Sequence, residues 1–317
     1  MDSGPYIQYD AVIREKFHRE GEKTAMKKII RSAFLFLMLC ACAGEGASLA
    51  ETAPDAVKII NHRGYNTAAP ENTLPAYELS AEMGYSLVET DVCFTKDLVP
   101  VLLHDATINR TARNADGSPV KGSVRIGDIT YEEALAYDFG VWKGAEYAGT
   151  RIPTFDSFLS LCRERGLQPY IELKENGNYG REEISGLLDM VREYGMERQV
   201  TWISFNAGYL EWIRDRDPEA RLGYLAAFWL TKGDFGGILR RAEGLRTGSN
   251  EVFLDVSIQM LSYALGGADR YIQMSREAGI PVEVWTVDSG ETVRALNPYI
   301  TGVTTNSLPA DILRGGK

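Results

Sequence analysis

Residues 57–92, VKIINHRGYNTAAPENTLPAYELSAEMGYSLVETDV, spell one strand, one helix and a second strand. Val57–Asn61 and Leu87–Val92 are short runs rich in β-branched and apolar residues, bounded by polar or glycine-containing segments. Between them, Thr73–Met83 carries apolar residues at helical spacing, and Gly84 stands where a helix commonly ends on a left-handed residue. A strand followed by a helix and a further strand is the sequence form of a parallel crossover.

The same alternation continues along the chain. Strands are predicted at Tyr170–Lys174, Val200–Ser204, Leu222–Ala226, Val252–Val256, Val282–Val287 and Gly302–Thr305, which with the first two makes eight. Amphipathic segments lie between them at Ile184–Tyr194, Gly208–Arg214 and Ala268–Ala278, with Gly195 and Gly279 at C-cap positions. Eight strands alternating with helices over about 260 residues predict an α/β fold, a (β/α)8 TIM barrel, which takes about 250 residues as one domain. A doubly wound open sheet is the competing arrangement, but no G-x-G-x-x-G opens the first helix.

Two departures from the alternation shape the expected active-site mouth. Val101–Asp105 is strand-like but follows Asp91 too closely for a parallel crossover, so it should return as a β-hairpin through Thr95–Pro100. That return brings His104 back over the strand end carrying Glu89 and Asp91. The segment 106–152 is long for a βα loop and holds its own helix signal at Thr130–Glu133, so it is read as a small cap insertion beside the mouth.

The chain has 317 residues, 44% hydrophobic and 25% charged, a globular composition that excludes a disordered tail or a collagen-like rod. Its 34 Lys+Arg against 44 Asp+Glu give a net charge of −10, which supplies no field for a polyanion and argues against nucleic acid as a partner. Residues 1–50 read as a leader. Lys27, Lys28 and Arg31 precede the apolar run Ala33–Ala43, which is too short to span a bilayer but fits a secretory h-region. Met26 is read as the true start. Leu39-Cys40-Ala41-Cys42 resembles a lipoprotein box, which makes Cys42 a possible lipid anchor, while Ser48-Leu49-Ala50 would suit ordinary signal cleavage. The expectation is an exported protein of the bacterial cell envelope, either membrane-anchored or periplasmic to extracellular, with 51–317 as one catalytic domain. Beyond the leader only Cys93 and Cys162 remain, so a core rather than a disulfide framework holds the fold.

In such a barrel the chemistry sits at the C-terminal strand ends. These ends read Asn61-His62-Arg63-Gly64, Glu89-Thr90-Asp91, His104-Asp105 for the hairpin, and Glu172-Leu173-Lys174. Residues two apart on a strand share a face, so Glu89 pairs with Asp91, and Glu172 with Lys174. Three carboxylates in one mouth repel each other and are costly to desolvate unless a cation neutralises them. An all-oxygen donor set suits Mg²⁺ or Ca²⁺ better than zinc. His62 and His104 are the two histidines beyond the leader, and both end strands beside acidic residues.

His62-Arg63-Gly64, Pro70-Glu71-Asn72-Thr73, Glu89-x-Asp91, Thr95-Lys96-Asp97, His104-Asp105 with Arg110-Thr111, Glu172-x-Lys174 and Trp285-Thr286 occur in that order. Together they make the chain, from about Lys58 to Ile312, resemble the glycerophosphodiester phosphodiesterase family. The resemblance implies a metal-dependent (β/α)8 barrel that hydrolyses glycerophosphodiesters to sn-glycerol 3-phosphate and an alcohol. It implies Glu89, Asp91 and Glu172 as ligands of one divalent cation, Mg²⁺ or Ca²⁺, and His62 and His104 as the acid–base pair. Arg63 and Lys174 would then hold the phosphate, and Trp285 would line the glycerol pocket. Asn72 and Thr73 are expected to cap the first helix. The chain departs from that family's pattern at two places. Leu98 follows Asp97 where glycine is frequent, which predicts a different or wider turn, and Thr305-Asn306-Ser307-Leu308-Pro309 lacks a carboxylate. A lipid-cleaving barrel of the phospholipase D or phosphatidylinositol phospholipase C kind is the rival enzyme. A surface lipoprotein that binds glycerophosphate groups without turnover is the rival of another class, but it needs no acid–base pair.

Overall fold

In the computed structural model the described residues are 57–175, 179–227, 234–263 and 268–313; the segment expected to be a leader, with Met26 and Cys42, lies outside them. β1 (Lys58–Asn61) leads through a turn into α1 (Leu74–Glu82), then to β2 (Leu87–Phe94). Pro75 sits in the first turn of α1, where its missing N–H costs nothing. β2 is followed by the short β3 (Pro100–Leu102), the cap helix α2 (Tyr131–Ala134), α3 (Phe155–Arg165) and β4 (Gln168–Leu173). The remaining units are α4 (Arg181–Glu193), β5 (Thr201–Ser204), α5 (Ala207–Arg216), β6 (Arg221–Ala226) and α6 (Phe235–Gly244). They are followed by β7 (Val252–Ser257), α7 (Ile258–Tyr263), α8 (Ala268–Glu277), β8 (Val282–Trp285), α9 (Gly290–Leu296) and β9 (Gly302–Thr305).

Eight strands form a closed parallel ring. β1 pairs with β2 on one side (Ile60 opposite Leu87) and with β9 on the other (Ile59 opposite Val303), and the rest pair in sequence order. β3 stands outside the ring, antiparallel to the far end of β2 with Val92 opposite Leu102, as the hairpin reading required. Its turn keeps Leu98 at φ 60°, so a leucine takes the left-handed position that glycine usually fills, while Thr95 Oγ1 accepts from Val99 N–H.

Apolar side chains fill three regions. The largest lies between the ring and its helices, with Tyr77, Phe155, Phe158 and Leu159 fully buried. A second, inside the ring, is a thin layer of Ile60, Tyr170, Ile203, Leu225 and Phe253. Gly223 is required there, because a Cβ would come within 2.4 Å of the Phe253 ring. The third packs Leu103, Ile108, Ile126, Phe139 and Ile152 of the 106–152 segment and its hairpin into a small core of their own. The helix signal within that segment is α2, held by a complete capping box between Thr130 and Glu133. At the N-terminal end of the ring, Arg221 donates to Tyr170, Thr201 and Glu283, and Lys58 also pairs with Glu283, forming a polar floor.

Candidate active site

The opposite, C-terminal end of the ring carries the candidate site. β2 buries Glu89 and Asp91 on one face and β4 presents Glu172 beside them, with Asp91 and Glu172 in register across the two strands. Ligand atoms of the three carboxylates lie within 4.8 Å of one another. Two cations oppose them: Lys174 Nζ is 2.7 Å from Glu172 Oε1 and 3.4 Å from Asp91 Oδ1, and Arg63 Nε is 3.2 Å from Asp91 Oδ2. Asp91 Oδ1 is buried without a hydrogen-bond donor. Two cations against three buried carboxylates leave the cluster short of positive charge, and a buried acceptor oxygen without a donor is what a hard cation satisfies. The donor set therefore fits a divalent metal ion.

Electrostatics separates the three acids. Burial raises the pKa of all of them, but at Asp91 the charges of Lys174 and Arg63 outweigh it and hold the group well below the usual carboxylate range. Glu89 is pushed well above its ordinary value by burial and then by Asp91, and Glu172 is raised by burial despite Lys174. A proton would therefore enter at Glu89 or Glu172 before Asp91 in the metal-free cluster.

The two histidines approach from different structures. His62 follows β1, tied to β9 by its own N–H donating to Thr305 O at 2.9 Å, and its Nε2 lies 3.9 Å from Glu89 Oε2. Its Nδ1 is 2.7 Å from Asn306 Oδ1. His104 follows the outer strand β3, whose neighbour Leu103 donates its N–H to Asp91 O at 3.0 Å, and its Nδ1 is 2.7 Å from Asp105 Oδ1. Burial, then the nearby cations, lowers His62 to about 3 and His104 to about 4, so both rings are neutral at pH 7 in the free protein.

Arg63 and Gly64 show why the turn after β1 has this sequence. Arg63 has φ 54° and Gly64 φ 74°, and a Cβ on Gly64 would lie 2.8 Å from Ala76 Cβ of α1. The sharp turn points the Arg63 N–H at Glu89 Oε2 (3.0 Å) and sends its guanidinium between Asp91 and Glu71. Glu71 in turn accepts both terminal nitrogens of Arg110 at 2.7 and 2.8 Å, and Arg110 Nε donates to Asp105 Oδ2 at 2.6 Å. One ionic chain thus runs from His104 through the cap residue Arg110 to Arg63 and the acidic cluster.

The structure corrects one sequence expectation and extends others. Neither Asn72 nor Thr73 caps α1 through its side chain. Thr73 donates to Pro70 O, while Asn72 donates to Asp91 Oδ2 at 2.8 Å and accepts from Tyr77, Thr90 and the Asp91 N–H. Asn72 is drawn to the buried charge of Asp91, which a helix N-terminus in partial contact with solvent cannot match. His62, His104, Arg63, Lys174, Glu89, Asp91 and Glu172 are brought together at one mouth. Trp285 lies on the same end of the ring, half-buried, its indole N–H donating to Asp255 O at 3.1 Å and its ring edge-on to Phe205. Glu71, Arg110, Asp288 and Asn306 complete the site without having been assigned roles from the sequence. Glu71 and Arg110 lay within the quoted motif blocks, which was a signal of their presence but not of their partners.

Comparison with known proteins gives consistent matches. The family model described as the glycerophosphoryl diester phosphodiesterase family matches residues 62–309. The glycerophosphodiester phosphodiesterase of Caldanaerobacter subterraneus subsp. tengcongensis is 28% identical over 249 residues, covering 78% of this chain and 93% of that protein. Among solved structures, a phosphodiesterase of Oleispira antarctica in complex with the product sn-glycerol-3-phosphate superposes with a TM-score of 0.67 at 24% identity, over 82% of this chain and 96% of that one. A glycerophosphodiester phosphodiesterase of Agrobacterium tumefaciens superposes with a TM-score of 0.61 at 24% identity, over 82% of this chain and all of that one.

Proposed function

The chain belongs to the glycerophosphoryl diester phosphodiesterase family and is a phosphodiesterase of glycerophosphodiesters, and from that premise we propose how its residues divide the reaction. The observation that carries the proposal is the buried triad Glu89, Asp91 and Glu172, flanked by Arg63 and Lys174 and overlooked by two histidines. The triad would hold one divalent cation, Mg²⁺ or Ca²⁺. Such an ion, when bound, supplies Lewis-acid stabilisation of charge on the phosphoryl oxygens. Arg63 and Lys174 orient the phosphate and add fixed positive charge where the transition state builds negative charge. Trp285 offers an apolar wall to the glycerol carbons.

Proton movement falls to the two rings. His62, neutral and with Nε2 facing the triad, takes the proton of the attacking oxygen. His104, which takes up a proton from water as the anionic phosphodiester binds, gives that proton to the departing alcohol, with Asp105 on its Nδ1 as the partner a protonated ring needs. Each transfer is worth about 10²- to 10⁴-fold. The products on this reading are glycerol 3-phosphate and a free alcohol, in keeping with the product named in the Oleispira complex.

The decisive measurement is release of glycerol 3-phosphate from glycerophosphocholine with Mg²⁺, with Ca²⁺ and with chelator. We expect metal-dependent turnover that falls at least about 10²-fold in His62→Ala and in His104→Ala. Metal-independent turnover, or full activity in either variant, would overturn the assignment. Export with lipidation at Cys42 is proposed on the leader sequence alone, and it predicts that Cys42→Ala moves the protein from the membrane fraction to the soluble one.

A further inference from the structure

Asn306, which follows β9, joins the catalytic mouth to a carboxylate outside the acidic triad. Asp288, just past β8, accepts three hydrogen bonds: from Thr305 Oγ1 (2.9 Å), from the Asn306 backbone N–H (2.7 Å) and from Asn306 Nδ2 (2.8 Å). A carboxylate only accepts, so the Asn306 amide must turn its NH₂ toward Asp288 and its carbonyl oxygen away. That oxygen, Oδ1, lies 2.7 Å from His62 Nδ1 and also accepts from Asn66 Nδ2 at 2.7 Å. Asn66 Nδ2 donates as well to His62 O at 2.7 Å, fixing the loop that carries the ring.

The consequence is a proton position. Asn306 Oδ1 cannot donate, so the contact at His62 Nδ1 exists only if that nitrogen carries the hydrogen, and the lone pair of a neutral ring is then on Nε2, the nitrogen nearer Glu89. We propose that Asn306, oriented by Asp288, is a positioning residue that locks His62 in its Nδ1–H tautomer and so makes Nε2 the proton-accepting nitrogen. His104 is built differently, with a carboxylate rather than an amide oxygen on Nδ1. The inference deepens the diesterase reading and rests on it only for the consequence of the tautomer, not for its existence.

The test reads the tautomer directly, by two-bond ¹H–¹⁵N correlation of the imidazole rings in the full chain with chelator present and no substrate, the His62 signals being those lost in His62→Asn. In the wild type we expect the Nδ1–H form. In Asp288→Asn the new side chain can donate as well as accept, so Asn66 Nδ2 alone is left to hold the Asn306 orientation, and an Nε2–H fraction should appear. We expect kcat to fall about 10- to 100-fold with KM within about 2-fold, since misplacing the proton of a catalytic histidine disables proton transfer more than binding. The reciprocal swap Asp288→Asn/Asn306→Asp restores an acceptor at Nδ1 and a donor to hold it, and should recover the tautomer and most of kcat. Near-UV circular dichroism establishes that each variant is folded.

An Nε2–H tautomer in the wild type overturns the proposal. So does an unchanged tautomer and kcat in Asp288→Asn, or a folded swap that recovers neither. Should the tautomer be as expected while no glycerophosphodiester is turned over, the diesterase reading fails and the positioning of His62 stands.

Discussion

Glu71 is where two arginines meet. Burial pushes its carboxyl up, but hydrogen bonds from Arg110 and the charge of Arg63 outweigh that and bring it to about 2 from an ordinary 4.5. A folded-state value below the unfolded one means stability that is fully present above about pH 4.5 and is lost as the pH falls toward 2. We therefore expect Glu71→Gln to cost on the order of 2–3 kcal/mol at pH 7 and progressively less below pH 4.5, as read by urea unfolding at pH 7, 4 and 3. A gap that stays constant down to pH 3 would show that Glu71 acts by shape rather than charge. At this scale the sequence was legible in kind but not in pairing. Strand parity and proximity of acids pointed to Glu89, Asp91, Glu172 and both histidines. Glu71 and Arg110 are 39 positions apart, and His62 and Asn306 are 244 apart, so nothing in local spacing could join them.

At the scale of elements, the turn from β1 to α1 determines where Arg63 goes. Gly64 needs a positive φ and lies so close to Ala76 that a methyl group would have to displace backbone atoms of α1 at 2.9 and 3.0 Å. Backbone strain and overpacking each cost roughly 1–3 kcal/mol. Gly64→Ala should lower the melting temperature by several degrees and reduce activity beyond the stability loss, because Arg63 and the His62 ring ride on the same turn. The thermal melt and kcat measured well below the transition check both. The strands themselves were legible because β-branched runs of four to six residues broken by helical spacing have few other readings. The hairpin was legible from chain length alone, as nine residues cannot complete a crossover. Asn72 was misread because a capping preference is a local rule, and a buried charge 19 positions away overrode it.

For the molecule as a whole, three buried carboxylates opposed by Arg63 and Lys174 make the metal-free fold one that a cation should stabilise. A ligand that binds only the folded state adds about 2.7 kcal/mol at a hundredfold excess over its Kd. In a chain of this size that corresponds to a rise of about 4–5 °C in melting temperature. Mg²⁺ and Ca²⁺ titrated separately by differential scanning fluorimetry should show which ion the triad prefers, and Glu172→Gln should abolish most of the shift. No shift with either ion would remove the metal from the reading of the site. The ring and its outlying strand also bear on how the protein tolerates crowding. A closed ring leaves no unpaired strand edge, and β3, which stands outside it, is three residues long and begins with a proline that has no N–H to offer. Its outer side is already taken, by Leu102 N–H on Pro153 O and by the bridge from Val101 to Thr154. Among the described residues there is thus little template on which a neighbouring copy could add a strand, and a net charge of −10 keeps copies apart at longer range. A protein packed densely at a surface or in a concentrated extract would resist aggregation through β-edge pairing by its topology, before any chaperone is involved.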